Sequence, residues 1–357
     1  MASRERHLAS HVFNVAVLVV GGVLLAWMLR RLGWDNVRGV LRGVGGWFPV
    51  IVALDLCALV CDAAAIHQFM RPESRMVAFW RVLCAQASGR AVNVLVPGGA
   101  VGEATKITML VAHAPRGRVV SAIVLFNLAS FYLQVAIVIA GVPLTALLVD
   151  MPRELQIVVW TALAILVPLV IAIVVAIQRG ALETVLASGR RAHVVSSERL
   201  ERLRQKVIDV DKRIREVQSN PTAGTRIGLL LICASKLFSW TAATVVLYAV
   251  GVQLGFTLLV GVFSVGVLIG WASTFVPFGL GIADSANYAL FNVLGAAGAH
   301  GVFVTLLGRA RSLTLALLGL LVMTGAHASS RVHVARRNRL MARLEAEHGA
   351  EALSRSG

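Results

Sequence analysis

Charge is scarce in this chain. Asp, Glu, Lys and Arg make up 15% of its 357 residues, where a soluble domain carries about 25%. That excludes an ordinary soluble protein. The four cysteines, Cys57, Cys61, Cys84 and Cys233, all lie in apolar segments. They form no CxxC and no zinc-type pattern with histidine, so they read as small buried hydrophobes. The nine histidines are scattered and none falls in an HExxH. Neither a metal site nor a cofactor is expected. A nucleotide-binding motif is missing too, so ATP drive within the chain is not expected.

Hydrophobicity is what the chain has. Apolar residues make up 57% of it, and the mean hydropathy is +0.78. Such a composition is far too apolar for a disordered protein. Apolar runs fall at 11–29, 47–70, 77–96, 119–149, 155–178, 227–250, 255–276, 278–296 and 301–326. A run of about twenty residues is long enough to cross a bilayer as a helix. The expected fold class is therefore all-α, a polytopic membrane helical bundle. Such a layout leaves no room for a large catalytic domain, and the chain is not expected to be an enzyme.

The net charge of +16 suggests a nucleic-acid partner only until the charges are placed. The basic residues lie mostly between the apolar runs and at the end of the chain, a pattern that orients a membrane protein. No nucleic-acid partner is expected. Arg4 and Arg6 precede the first run without a clear small-residue cleavage site, which reads as a retained first helix.

Two stretches depart from plain spanning helices. Residues 90–110 read RAVNVLVPGGAVGEATKITML, and residues 271–290 read WASTFVPFGLGIADSANYAL. Proline removes a backbone donor and glycine loosens a helix. In lipid, each freed backbone group costs several kcal/mol unless protein or a wet cavity satisfies it. Both stretches are expected to be broken or re-entrant helix pairs facing the protein interior, with Pro97, Gly102 and Pro277 at the structural breaks. They also match each other. Val96-Pro97 and Val276-Pro277 are followed by Gly99 and Gly279 in the same register. Gly102 and Gly281, then Glu103 and Asp284, follow one place out of step. Matched Gly/Pro interruptions in two halves point to a transporter binding site.

The loops give an orientation. Residues 179–226 hold eleven Arg or Lys and residues 331–355 hold six, whereas 251–308 hold none. Counting crossings from a cytoplasmic N-terminus puts both termini inside. The first broken pair then opens inward and the second outward, as an inverted repeat. The chain divides into a first membrane half (1–178), a cytoplasmic helical hairpin (179–226), a second membrane half (227–330) and a basic amphipathic tail (331–357) held against anionic headgroups. Arg30, Arg31, Arg38 and Arg42 would then lie outside. Residues 34–48 carry Trp34, Val37, Val40, Leu41, Val44 and Trp47 at helical spacing, read as a short helix lying on the lipid. Leu200, Leu203, Val207, Val210, Ile214 and Val217 form a heptad stripe. It serves either the hairpin, packed against 181–187, or a seam for a second copy or a partner.

Ionisable residues inside spans are costly and usually functional. The acids here are Asp55, Asp62, Glu103 and Asp284. The bases are Arg90, Lys106, Lys236, Arg309 and Arg311, with Arg81 near a span's end. Asp55 and Asp62 lie two turns apart on one face, and Glu103 and Lys106 one turn apart. One reading pairs these charges only to neutralise them. The other places them around a polar cavity between the broken helices. There the N-termini after Gly98-Gly99 and Gly279 would attract an anion. Arg90, Lys106 and Arg309 would add positive charge, which suits a phosphate. Glu103 and Asp284 would hold a cationic headgroup amine or take up protons. The substrate-binding candidates are Arg90, Asn93, Gly98, Gly99, Glu103, Lys106, Gly279, Gly281, Asp284 and Arg309.

The pattern RxxNxxxPGGxxGExxK, followed by PxGLGxxD and a later Arg within an apolar helix, resembles the lysylphosphatidylglycerol synthase transmembrane domain family. These flippase-like proteins include the membrane portion of the multiple peptide resistance factor and stand-alone forms. The resemblance covers about residues 10–326. By it, Glu103 and Lys106 match the acid and the base after the first Gly motif. Pro277, Gly279 and Gly281 match the second motif, and Arg309 matches the later Arg. Asp284 stands where the family usually has Glu, and Lys106 where Arg is more usual.

The resemblance implies a lipid flippase or lipid transporter in the bacterial cytoplasmic membrane. Its partners would be membrane lipids with an anionic headgroup, of phospholipid, hopanoid or polyprenyl type. It does not imply aminoacyl transfer, which belongs to a separate soluble domain. Two other readings stand beside it, a secondary transporter of a small anion and a membrane enzyme acting on lipid phosphates. For the enzyme, Ser130 and His113 are the nearest candidates, and they fit no catalytic motif.

Overall fold

The computed structural model describes residues 43–72, 74, 77–96, 100–149, 223–273 and 281–325, with five helical positions between 157 and 168. Every regular element among them is a helix. In chain order they are α1 (Trp47–Phe69), α2 (Phe79–Leu95), α3 (Ala100–Val111), α4 (Arg116–Leu148), α5 (Ala223–Ala249), α6 (Phe256–Ser273), α7 (Ile282–Val293) and α8 (Gly298–Gly325). Helices α1, α4, α5, α6 and α8 are long and apolar enough to cross a membrane. The architecture is a polytopic helical membrane bundle.

The elements sit where hydropathy and helix breakers put them. The runs at 47–70, 77–96, 119–149, 227–250, 255–276, 278–296 and 301–326 become α1, α2, α4, α5, α6, α7 and α8. The stretch after Pro97-Gly98-Gly99 becomes α3. The runs at 11–29 and, apart from the five positions, 155–178 lie outside the described residues, as do residues 179–222 of the 179–226 hairpin, with its heptad stripe, and the 331–357 tail; residues 223–226 open α5 instead. Pro97, Gly98, Gly99, Pro277 and Gly279 lie outside them as well.

Lipid tails are as apolar as leucine, so helices in a membrane associate through close packing and polar contacts rather than by escaping water. Small residues mark the closest approaches here. A Cβ on Gly228 of α5 would collide with the Phe69 ring of α1. One on Gly141 of α4 would stand 2.6 Å from the Ser264 Cβ of α6. One on Gly319 of α8 would meet the Ala87 carbonyl oxygen of α2 at 2.5 Å. Polar contacts join the same helices. Thr145 and Ser264 hydroxyls lie 3.2 Å apart between α4 and α6. Ile66, Phe69, Met70, Val82, Leu110, Ile123 and Ile232 form one core.

Two expectations need correction. Val44 does not lie on lipid: it is buried with Ile51, Ala242, Val246 and Leu307. Trp47 opens α1 and stands edge-on to Tyr248 of α5. Val44, just before α1, therefore turns into the bundle, where helices α5 and α8 offer packing; residues 34–42 of that expected surface helix lie outside the described residues. The cysteines also differ from the expectation. Only Cys84 is buried, Cys61 is partly covered, and Cys57 and Cys233 are exposed on the outer faces of α1 and α5. In a bundle surrounded by lipid, an apolar residue needs no protein cover.

Candidate functional site

The first polar cluster forms where α2 and α3 fold back on each other. Gly89 and Gly102 make the close approach. A Cβ on Gly102 would collide with the Asn93 side chain and the Gly89 carbonyl. A Cβ on Gly89 would collide with the aliphatic part of Lys106. With both side chains absent, Asn93 reaches across the break. Its Oδ1 accepts from the Gly102 amide at 2.9 Å, and its Nδ2 donates to Glu103 Oε1 at 3.2 Å.

Glu103 lies in the first turn of α3. Its Oε1 pairs with Lys106 Nζ at 2.7 Å, and its Oε2 accepts from Asn127 Nδ2 of α4 at 2.9 Å. Lys106 is almost wholly buried and stands 5.8 Å from the centre of the Phe126 ring, a cation–π arrangement. Glu103 is a half-buried carboxylate with three polar partners and is well satisfied, which is the condition for holding a charge away from water. Asn127 was not among the residues singled out from the sequence. An Asn in an otherwise apolar run was the available signal.

The second cluster forms at the start of α7. Gly281 precedes the helix at φ +82°, a region that glycine enters at little cost. The Asp284 carboxylate accepts from the Gly281 amide at 3.1 Å. Its Oδ2 also pairs with Arg309 Nη2 of α8 at 2.7 Å. Anions are stabilised at helix N-termini, so the acid does two jobs. It caps α7 and ties it to α8. One turn further along, Asn287 donates to Thr305 of α8 at 2.9 Å. Gly301 leaves room for the Asn287 backbone there.

These contacts bear on the expected anion cavity. At both breaks a described helix-start amide is already held by the protein's own side chain, Gly102 by Asn93 and Gly281 by Asp284. Lys106 and Arg309 each sit against an acid. Arg90 does not join the Asn93–Glu103–Lys106 group directly. It faces Asp62 of α1 at 3.9 Å. A further pair joins α1 to α8. Arg311 of α8 grips Asp55 of α1, donating from Nη2 to Oδ1 at 2.7 Å and pairing through Nε with Oδ2. Asp55 is fully buried.

The α3–α4 and α7–α8 segments share a local plan. In each, a helix of twelve residues follows a Pro/Gly break and carries an acid in its first turn. In each, the acid is met by the twelfth residue of the next long helix, Asn127 of α4 in one and Arg309 of α8 in the other.

Long apolar helices enclosing paired charges and helix breaks define a multi-pass helical membrane protein. The chain belongs to the family described as the lysylphosphatidylglycerol synthase TM region, whose model matches residues 14–319 and so takes in both clusters. No curated protein and no solved structure matches the chain.

Proposed function

We propose that this protein is a lipid flippase or lipid transporter, not an enzyme, and that it moves a phosphate-bearing lipid between leaflets. The observation that carries this reading is the repeated plan of break, short helix, first-turn acid and polar partner from the next long helix. Matching broken segments in two halves are the arrangement on which alternating-access sites are built. Family membership supports a lipid-related role in a membrane. Under this reading the two halves form an inverted repeat in a bacterial cytoplasmic membrane, with both termini cytoplasmic. The first cluster (Asn93, Gly102, Glu103, Lys106) and the second (Gly281, Asp284, Arg309) take turns at the headgroup. Each ion pair then has two roles, neutral while the site is closed and open to a headgroup when its helices part.

The test is translocation of labelled lipids in liposomes by monodisperse protein. Replacing Glu103 and Lys106 together by Gln and Met removes both charges of one pair. The double variant should keep its fold and lose transport. Replacing either alone leaves the partner unpaired, at a cost of about 3–5 kcal/mol for a buried pair. A fully active double variant removes this pair from the transport path. Transport of a small anion without lipid movement would replace the flippase reading with that of a secondary transporter.

A further inference from the structure

Helix α4 meets both broken segments, and it does so along one face. Asn127, Phe131 and Gln134 fall at steps of four and three, which sets them one above another. Asn127 Nδ2 donates to Glu103 Oε2 at 2.9 Å, at the start of α3. Two turns further along, Gln134 Oε1 accepts from the indole Nε1 of Trp271 at 3.2 Å. The Trp271 ring also stacks on Phe131, with 5.7 Å between ring centres and 27° between planes. Trp271 lies in the last turn of α6, from which the chain runs on to Pro277. The seat of α6 on α4 continues past this point. Val138 and Val142 pack against Val265, Leu268 and Trp271, and Thr145 meets Ser264.

Both polar contacts are costly to break. An amide or an indole N–H away from water needs a partner. The two contacts are also aligned. Seven residues turn a helix through about 700°, so Asn127 and Gln134 point within about 20° of each other. Pro143, the proline within α4, lies beyond both of them, so the backbone ladder runs unbroken from one to the other. A rotation of α4 that takes Asn127 off Glu103 therefore takes Gln134 and Phe131 off Trp271 as well. An event at the first break then loosens the helix that leads into the second.

We infer that Trp271, Phe131 and Gln134 are positioning residues that tie the second broken segment to the acid of the first through one face of α4, so that the two breaks change state together. The link does not rest on the lipid-transport reading. It is a property of the bundle, whatever passes between its helices.

The test reads Trp271 while Asn127, two turns away, is changed. Full-length protein in detergent carries fluorotryptophan and is followed by fluorine NMR. The chain has seven tryptophans, and the signal that Trp271→Phe removes is that of Trp271. Gln134→Leu takes away the indole's partner and should shift this signal. Asn127→Leu should shift it in the same direction or split it. The exposed Trp80 of α2 should keep its position in both variants. Phe126→Leu disturbs the same α3–α4 contact from the neighbouring face of α4, where Phe126 borders Lys106. It should leave Trp271 in place. With Gln134→Leu present, adding Asn127→Leu should move the signal little further, because the link is already cut.

A Trp271 signal that moves with Gln134→Leu but not with Asn127→Leu overturns the proposal. So does a signal that Phe126→Leu moves as far as Asn127→Leu does, since any loosening of the bundle would then suffice. A Trp271 signal unmoved by Gln134→Leu overturns it as well, because the contact itself would be missing. If Asn127→Leu does not fold, Asn127→Ser takes its place with the same expectation, as its short side chain falls away from Glu103 but stays polar. Protein that moves no lipid should give the same spectra, so failure of the transport reading and failure of the link are told apart.

Discussion

Glu103 and Asp284 hold corresponding places at the starts of α3 and α7, yet they are neutralised differently. Glu103 finds its cation within its own helix, three residues on, and adds two asparagines from α2 and α4. Asp284 has no base on α7 and takes Arg309 from α8, twenty-five residues away. The first site is thus charge-balanced as soon as α3 forms. The second is balanced only when α7 docks on α8. An acid served locally tolerates loss of a neighbouring helix, whereas one served from afar makes that neighbour part of its own solvation. The second half should be the more sensitive to anything that moves α8.

The sharpest way to break the comparison is at the residue that anchors α8 to the first half. Arg311→Leu leaves the fully buried Asp55 without its cation and should cost about 3–5 kcal/mol. It is measured as a fall in the thermal unfolding midpoint in detergent. Adding Asp55→Asn should return much of the loss, because the unpaired charge disappears. If the single and double variants melt alike, the penalty comes from lost packing.

The next effect sets the two twelfth residues against each other. Arg309→Leu and Asn127→Leu each remove a hydrogen bond to a carboxylate, worth roughly 1.5–3 kcal/mol. Arg309→Leu should fall at or above the top of that range, since Asp284 loses a charge. Asn127→Leu should fall at the bottom, since Asn93 and Lys106 remain on Glu103. Equal losses in unfolding free energy would show that local pairing gives the first site no advantage.

The smallest effect separates crowding from backbone strain. Gly102→Ala pushes a methyl into Asn93 and the Gly89 carbonyl and should cost about 1–3 kcal/mol. Gly281→Ala meets nothing within 4 Å. It should cost only the positive φ, about 1–2 kcal/mol. A larger cost at Gly281 than at Gly102 would reverse the assignment of which break is tightly packed.

Much of this was legible before any coordinates. The spans followed from apolar runs because hydropathy and helix length are one-dimensional properties. The helix breaks around Pro97 and Pro277 followed for the same reason, since the loss of a donor is fixed by residue type. The Glu103–Lys106 pair was also readable, because a spacing of three places two side chains on adjacent turns. The family followed from the two Gly/Pro motifs and their acids.

Partner choice was not legible. The aspartates of α1 needed arginines, but nothing local said that Asp62 would face Arg90 while Asp55 reached Arg311, 256 residues away. Nor did the chain mark Asn127 as a ligand of Glu103, because its role arises only where α4 crosses α3. The helix starts after Gly98-Gly99 and Gly279 looked open in sequence, yet the Gly102 and Gly281 amides there are held by Asn93 and Asp284 in the fold. Val44 looked lipid-facing and is buried against α5 and α8. Composition and spacing determined which segments are helical, where they break and how many charges the membrane must accommodate. Only the packing of the bundle decided which charges pair with which, because electrostatic pairing depends on distances in space that the order of residues does not contain.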